Sequence, residues 1–133
     1  KEGKYETVME AANVPKKNNF KGNVYLLVSG LTVSTAARFT DVFSVNRRGV
    51  IIGEEPGGGY FGNNGGVHAV LTVPNTKLKF DVPLFKMIMA GALNKAWEGH
   101  GVQPDYSVHS TITDYENGRD GELEFILDLI KKK

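Results

Sequence analysis

Ser34 is the residue whose type and placement best suit covalent chemistry. It comes a few positions after an apolar run, residues 23–28, and stands where a helical pattern begins. A serine at such a strand-to-helix turn presents its hydroxyl at the edge of a sheet, and unpaired N–H groups of the first helical turn can stabilise an oxyanion. The N–H of Thr35 is the expected first donor. Local features alone, however, favour the simpler interpretation that Thr32 or Ser34 is a helix N-cap.

A glycine-rich loop, residues 54–66, is the second candidate feature. It is long for a compact domain, which indicates a function. We expect Gly57, Gly58, Gly59 and Tyr60 to form a rim of a substrate cleft. The alternative for Tyr60 is that its ring fills the adjacent core. A phosphate cradle is disfavoured because the loop lacks the Lys-Ser/Thr pair of a P-loop and leads into a strand-like run instead of a helix.

The three histidines are His68, His100 and His109. A general base must come within hydrogen-bond reach of Ser34. His68 adjoins the glycine loop and His100 adjoins Glu98, so both are candidates, whereas His109 is interpreted as structural. No spacing of histidines and carboxylates predicts a metal site.

Bulk composition excludes several classes of protein. The 133 residues carry a formal net charge of +1, and the basic residues occur only in small clusters, so no nucleic-acid partner is expected. Without cysteine, disulfides, thiolate metal sites and cysteine nucleophiles are excluded. No apolar stretch is long enough to span a membrane, and no signal peptide is visible.

The order of elements predicts an α/β domain. Residues 23–28 form a strand buried on both faces, residues 33–45 a helix and residues 50–52 a second buried strand, which together make a βαβ unit with parallel strands. A polar lead-in, residues 1–19, precedes this unit.

Further along the chain, strands are predicted at residues 67–73 and 77–83, joined through Pro74 and Asn75, the second with a half-buried alternation. A short extended piece lies within residues 102–108. Residues 121–132 form an amphipathic helix that starts near Asp120.

Four motifs in order carry a family resemblance. They are GNVYLLVSGLTVSTAARF at residues 22–39, GVIIGEEPGGG at 49–59, LTVPNTKL at 71–78 and WEGHGVQPD at 97–105. Together they resemble the tail-specific (C-terminal processing) serine protease family, which includes the tricorn protease core and the repeats of interphotoreceptor retinoid-binding protein. The resemblance covers about residues 20–132.

The resemblance implies a crotonase-like α/β superfold with ββα-type units, of which residues 20–133 would be a C-terminal portion. It implies hydrolysis of peptide bonds in unstructured polypeptides, with Ser34 as nucleophile and the Thr35 N–H in the oxyanion hole. No cofactor or metal is expected. A periplasmic or extracellular, cell-envelope location in a bacterium is also expected from the family alone.

The general base is where the sequence departs from part of the family. Where Ser–Lys members carry their lysine, this chain has Gly59, and no lysine stands between Lys21 and Lys77. Tricorn-like members instead use a histidine from an earlier part of the domain, and Glu98 matches the acid that orients it. The alternative for Glu98 is an exposed loop acid. We therefore expect the missing N-terminal part of the catalytic domain to be a partner, and the fragment alone to be inactive.

Two other functions stay open. The same fold serves as a non-catalytic ligand- or peptide-binding module in the retinoid-binding relatives, and Thr35 and Arg38, which replace residues common in the family, suit that alternative. A stand-alone acyl-CoA-type crotonase protein is a third. An open edge of a parallel sheet would also allow a homodimer.

Overall fold

The computed structural model describes residues 14–89 and 97–132. The predicted βαβ unit is present: β1 (Tyr25–Val28) leads into α1 (Ser34–Val45), and β2 (Val50–Gly53) pairs in parallel with β1. The short β7 (Tyr106–Ser107) pairs in parallel with the other side of β2, which gives the strand order β1-β2-β7. The lead-in is described only from residue 14 onwards, where its side chains are exposed.

The prediction that the first strand is buried on both faces is wrong. Val28 is buried and Leu26 packs against the core, but Leu27 between them is 40% exposed. Because successive side chains of a strand point to opposite faces, β1 has one core face and one open face in the described structure. The second strand matches its prediction, since Ile51, Ile52 and Gly53 are all buried.

The predicted hairpin is present as the antiparallel pair β4 (His68–Thr72) and β5 (Lys79–Pro83). The predicted half-buried pattern of the second strand is wrong, because Leu78, Phe80 and Val82 are exposed together with the polar residues between them. Apolar and polar side chains do alternate along the strand, but the described residues place nothing over the apolar face.

Short elements fill the remaining chain. Within the loop predicted at residues 54–66, β3 (Gly62–Asn63) pairs antiparallel with β6 (Met87–Ile88). A five-residue helix that the sequence pattern did not predict, α2 (Ile112–Glu116), begins with a capping box between Thr111 and Asp114. The last helix, α3 (Gly121–Lys131), starts as predicted, with the Asp120 side chain accepting a hydrogen bond from the Leu123 N–H.

The core lies where the parallel sheet meets α1, the glycine loop and the segment that precedes β7. Its buried members are Val28, Phe43, Ile51, Tyr60 and Val102. Asp105 ties this last segment to the sheet: its N–H donates to the Ile51 carbonyl at 2.8 Å, and its carboxylate accepts from the Ile51 N–H at 2.8 Å. The sheet therefore holds residues 105–107 in fixed register beside β2.

Candidate active site

The turn that carries Ser34, residues 29–34, is called here the serine turn. It connects β1 with α1 and is built by hydroxyl groups. The Thr32 hydroxyl accepts from the Ser29 N–H at 2.9 Å, and the Thr32 N–H donates to the Ser29 carbonyl at 2.8 Å. Local bonds of this kind are how serine and threonine stabilise turns. They place Ser34 directly beyond the carboxyl end of β1.

Ser34 does not cap the helix. The N-cap position is Val33, and no side chain makes a cap hydrogen bond there. Thr32, the other candidate cap, uses its hydroxyl inside the turn. The cap interpretation is therefore wrong for both residues. Ser34 is exposed and has a φ of 53°, in the left-handed region, which costs a residue with a Cβ atom about 1–2 kcal/mol. Strain of this kind concentrates at functional sites.

Backbone N–H groups point out of the start of α1. The N–H groups of Ala36 and Ala37 donate to the Val33 carbonyl, at 3.1 and 3.4 Å, and so begin the helical ladder. The N–H of Thr35 precedes that ladder, on an exposed residue next to Ser34. The first N–H groups of a helix lack helical acceptors and lie at its positive end. This geometry suits the stabilisation of an oxyanion formed at Ser34.

The glycine loop lies directly against the serine turn. The Gly58 N–H donates to the Thr32 carbonyl at 3.2 Å. A Cβ atom on Gly58 would lie 2.2 Å from the Cβ of Ala37, and one on Gly57 would lie 2.4 Å from the Gly30 carbonyl oxygen. Only glycine permits such approaches. Gly57 and Gly59 are exposed next to the serine turn, and their place on the rim of a substrate cleft stays a prediction.

Tyr60 does not belong to that rim. Its side chain is 5% exposed and lies in the core, edge-on to the rings of Trp97 and Phe61, with centroids 4.7 and 5.2 Å away. The alternative interpretation, that this ring fills the core, is the one observed. Aromatic rings favour such edge-to-face contacts, and here they anchor the end of the glycine loop.

The segment that carries Glu98, residues 97–105, packs on the other side of the glycine loop. A Cβ atom on Gly101 would lie 2.2 Å from the Pro56 carbonyl oxygen, and the Tyr60 N–H donates to the His100 carbonyl at 2.8 Å. Glu98 itself is exposed, in a tight turn next to Gly99. The structure thus brings the segment of Glu98 to the glycine loop, while the Glu98 side chain faces solvent.

His100 is held by Glu55. Its Nδ1 lies 3.1 Å from the Glu55 Oε1, which also accepts from the Gly101 N–H at 2.9 Å. Hydrogen bonds from the Gln103 side chain and the Gly101 N–H, with a smaller contribution from His100, lower the pKa of Glu55. Proximity in sequence pairs His100 with its neighbour Glu98, whereas its partner in the structure, Glu55, lies 45 residues away.

The other two histidines lie elsewhere. His68 is on β4, paired with Pro83 in the hairpin. His109 follows β7, and both its ring nitrogens are engaged, with Ser107 and Glu54. Among residues 14–89 and 97–132, no hydrogen bond joins a histidine to Ser34.

Asp41 is a buried acid that the sequence pattern did not single out. It lies on α1, seven residues after Ser34 and therefore about two turns further along the helix. Its side chain is 2% exposed, and in the described part of the chain Oδ1 has no hydrogen-bond partner. Burial raises the pKa of Asp41 to about 7.

Metal sites and membrane spans are two other classes of feature. In the described ranges, no three acidic or histidine side chains are grouped so that they could bind a metal ion. None of the helices there has both the length and the apolar character needed to cross a membrane.

A comparison with family models identifies the chain. The model described as peptidase family S41 matches residues 1–108, which is most of the sequence and includes the serine turn, the glycine loop and the segment of Glu98. A search of curated proteins gives no significant match. The resemblance seen in the four motifs is confirmed at this level: the chain belongs to peptidase family S41, a C-terminal processing peptidase family of serine peptidases with mixed α/β domains.

Proposed function

We propose that this chain is part of a serine peptidase that hydrolyses peptide bonds of unstructured polypeptides by acyl transfer, with Ser34 as its nucleophile. The observation that carries the proposal is the conformation of Ser34. The residue is exposed at the start of α1 with a φ of 53°, makes no capping bond, and is held there by the two glycines packed against its turn. A strained serine at a strand-to-helix turn is the arrangement by which α/β hydrolases expose their nucleophile.

The proposed reaction uses the groups around this turn. Ser34 Oγ attacks the peptide carbonyl carbon while its proton passes to a base, and the Thr35 N–H donates to the oxyanion. The base returns the proton to the leaving amine. Water then hydrolyses the acyl-enzyme, and the base accepts its proton in turn.

The base in this proposal is a histidine outside the present sequence, oriented by Glu98. Three features support it. Gly59 stands where a Ser–Lys enzyme would carry lysine, the rings of His100 and His109 are bonded to other groups, and the segment of Glu98 lies against the glycine loop. These features favour the tricorn-like arrangement among tail-specific peptidases. By itself the present chain is then inactive.

The proposed fold is the crotonase-like superfold with ββα-type units, of which the parallel β1-α1-β2 unit with β7 alongside would form part. The N-terminal part of the catalytic domain, or a second copy of the chain, would cover the open face of β1 and the apolar residues of the hairpin. Large exposed apolar patches commonly mark such contacts. A periplasmic or cell-envelope location is proposed from the family alone.

Labelling with a fluorophosphonate tests the nucleophile. The reagent should phosphonylate Ser34 in the full-length parent protein, and peptide mapping should find the adduct on residue 34. Ser34→Ala should remove that adduct, whereas Ser44→Ala, on the same helix, should retain it. A folded full-length protein without an adduct on Ser34 would contradict the proposal.

A non-catalytic peptide-binding module is the second candidate. The observation that favours it is Gly59 in place of lysine, together with the finding that no described histidine makes a hydrogen bond to Ser34. Binding of an unstructured peptide without its cleavage, in a full-length protein that leaves Ser34 unlabelled, would support this candidate.

A further inference from the structure

A hydroxyl, an imidazole and a carboxylate lie in line at the carboxyl ends of β2 and β7. The Ser107 Oγ is 3.0 Å from the His109 Nε2, and the His109 Nδ1 is 3.1 Å from the Glu54 Oε1. None of these residues belongs to the serine turn. Both ring nitrogens of one histidine are thus engaged, one by an alcohol and one by an acid.

The sheet fixes the position of each member. Ser107 pairs with Gly53 in the β2–β7 register, and the Val108 N–H donates to the Gly53 carbonyl at 3.1 Å. The Glu54 N–H donates to the Val28 carbonyl at 3.0 Å, which anchors Glu54 to the end of β1. Because side chains two residues apart in extended chain share a face, Ser107 and His109 both reach the same side.

The hydrogen bonds determine the tautomer. An ionised carboxylate only accepts, so Nδ1 must carry the proton that it donates to Glu54. In a neutral ring, Nε2 then accepts the hydroxyl proton of Ser107. This is the order of groups by which a histidine activates a serine in acyl transfer. The side chains of His109 and Glu54 are 68% and 41% exposed, so a reagent in solvent can reach them.

A small pocket lies at the end of β1, next to the serine turn, and Glu54 adjoins it through the bond from its N–H to the Val28 carbonyl. The pocket has a volume of about 140 Å³ and is lined by Leu27, Val28, Ser29, Thr32 and Glu122. Burial, with the negative charges of Asp120 and Glu54, raises the pKa of Glu122, so this wall is within electrostatic reach of Glu54. The Leu27 side chain offers an apolar wall for a short acyl chain, while the carboxylates disfavour an anionic one.

We propose that Ser107, activated by His109 and Glu54, is a second nucleophile that accepts short, neutral acyl groups from activated esters. Ser107 Oγ forms a bond to the ester carbonyl carbon, its proton passes to His109 Nε2, and the bond to the alkoxide or phenolate leaving group breaks. The leaving group or solvent then takes the proton from Nε2, so His109 is neutral again. The product is an acyl ester of Ser107. Water, deprotonated by His109, then releases the carboxylic acid and regenerates the hydroxyl. This activity is separate from the peptidase function proposed for Ser34.

Reaction of p-nitrophenyl acetate with the Ser34→Ala protein tests the role of Ser107, His109 and Glu54, because the first proposed nucleophile is absent from that protein. We expect release of p-nitrophenolate and an acetyl group that mass spectrometry maps to residue 107. In that background, Ser107→Ala or His109→Gln should lower the rate by about tenfold or more, since a positioned base contributes roughly 10²–10⁴-fold. The matched controls are Ser110→Ala, on the same loop, and His68→Gln, on β4; both should leave the rate unchanged.

Glu54→Gln reports on the positioning residue. An amide oxygen still accepts the Nδ1 proton but no longer stabilises an imidazolium, so kcat should fall while the KM for the ester stays unchanged. The hemisuccinate ester of p-nitrophenol should react more slowly than the acetate, because its carboxylate meets those of Glu54 and Glu122.

Acetylation confined to lysines, or a rate that neither Ser107→Ala nor His109→Gln lowers, would overturn the proposal. His109→Gln preserves Ser107, so its rate tests the role of the base even if Ser107→Ala reduces the folded fraction measured by circular dichroism. Loss of Ser34 labelling in the parent protein would leave this result untouched, so the two proposals fail separately.

Discussion

The serine turn and the β4–β5 hairpin differ in what surrounds them. At the serine turn, main-chain atoms of the glycine loop meet those of the turn, and the helix that follows buries Ala37, Thr40 and Asp41. In the hairpin, all five residues of β4 and the first four of β5 are exposed on both faces. One region is fixed by contacts with the rest of the structure, while the other is held mainly by its own ladder of hydrogen bonds.

The difference indicates that the serine turn suits the precise positioning of a nucleophile, whereas the hairpin suits the docking of another segment. A nucleophile must be held within a fraction of an ångström, which is achieved by close packing on a rigid sheet and helix. An exposed apolar hairpin contributes nothing of that kind, but Phe80 and Leu71, 51% and 61% exposed, offer surface to a covering segment. Substitutions should therefore have large effects near the serine turn and small ones in the hairpin.

The largest expected effect is that of Asp41→Asn. The pKa of Asp41 is raised from 3.8 to about 7, so the folded state retains a proton that the unfolded state loses between these values. The free energy of unfolding should therefore fall as pH rises from about 4 to about 7, at up to roughly 1.4 kcal/mol per pH unit. At pH 8 the Asn variant should be the more stable protein, by up to a few kcal/mol, and the difference should shrink towards pH 4.

Asp81→Asn in β5 is the matched control, because Asp81 is exposed. Urea unfolding at pH 4, 6 and 8 gives the free energy of unfolding of the wild type, Asp41→Asn and Asp81→Asn. A wild-type stability that rises between pH 4 and pH 7 relative to Asp41→Asn would contradict the assignment of a buried, proton-binding Asp41.

The next largest effect concerns Gly58. Gly58→Ala forces two Cβ atoms together at the Ala37 contact and should cost about 1–3 kcal/mol of stability, the usual range for overpacking. Ala37→Gly removes one of those atoms, so the double variant Ala37→Gly/Gly58→Ala should be more stable than the sum of the single effects predicts. Denaturant unfolding of the four proteins gives the coupling energy.

Gly57→Ala is the control for this cycle. Its Cβ atom would meet the Gly30 carbonyl oxygen, a backbone atom that Ala37→Gly leaves in place. The effects of Gly57→Ala and Ala37→Gly should therefore be additive. Equal coupling in both cycles would show that the glycine loop does not rest on Ala37.

The sequence predicted the parts of this fold that depend on local pattern. Continuous apolar runs predicted β1 and β2, alternation predicted the second strand of the hairpin, and helical spacing predicted α1 and α3. The Asp120 cap followed from its position before an apolar helix. The capping box of α2 was also readable, as a threonine followed three residues later by an acid. Five residues give too little periodicity for a helix to be recognised otherwise.

What could not be predicted depends on contacts between distant segments. Exposure of Leu27 and Phe80 is set by what covers each face, which alternation does not report. The register between β2 and β7 decides that Glu54 meets His109, 55 residues later, and no local pattern specifies it. The sequence contains one local indication that Ser107 and His109 lie together: they are two residues apart in an extended segment, and such residues share a face. The roles of Ser34, Thr35 and Glu98 in catalysis stay predictions.

The smallest predicted effect is also the most direct measure of strain at the serine turn. Both Ser34→Gly and Ser34→Ala remove the hydroxyl, but alanine keeps the Cβ atom that makes a φ of 53° costly. The Gly variant should therefore be more stable than the Ala variant by about 1 kcal/mol. At Ser44, inside the same helix, the order should reverse by a similar amount, about 1 kcal/mol, because glycine is the poorer helix former. Thermal unfolding of the four variants measures the order of stability of glycine and alanine at each position. If alanine is the more stable at both, Ser34 is not held in the left-handed region. The observation on which its proposed role rests would then be lost.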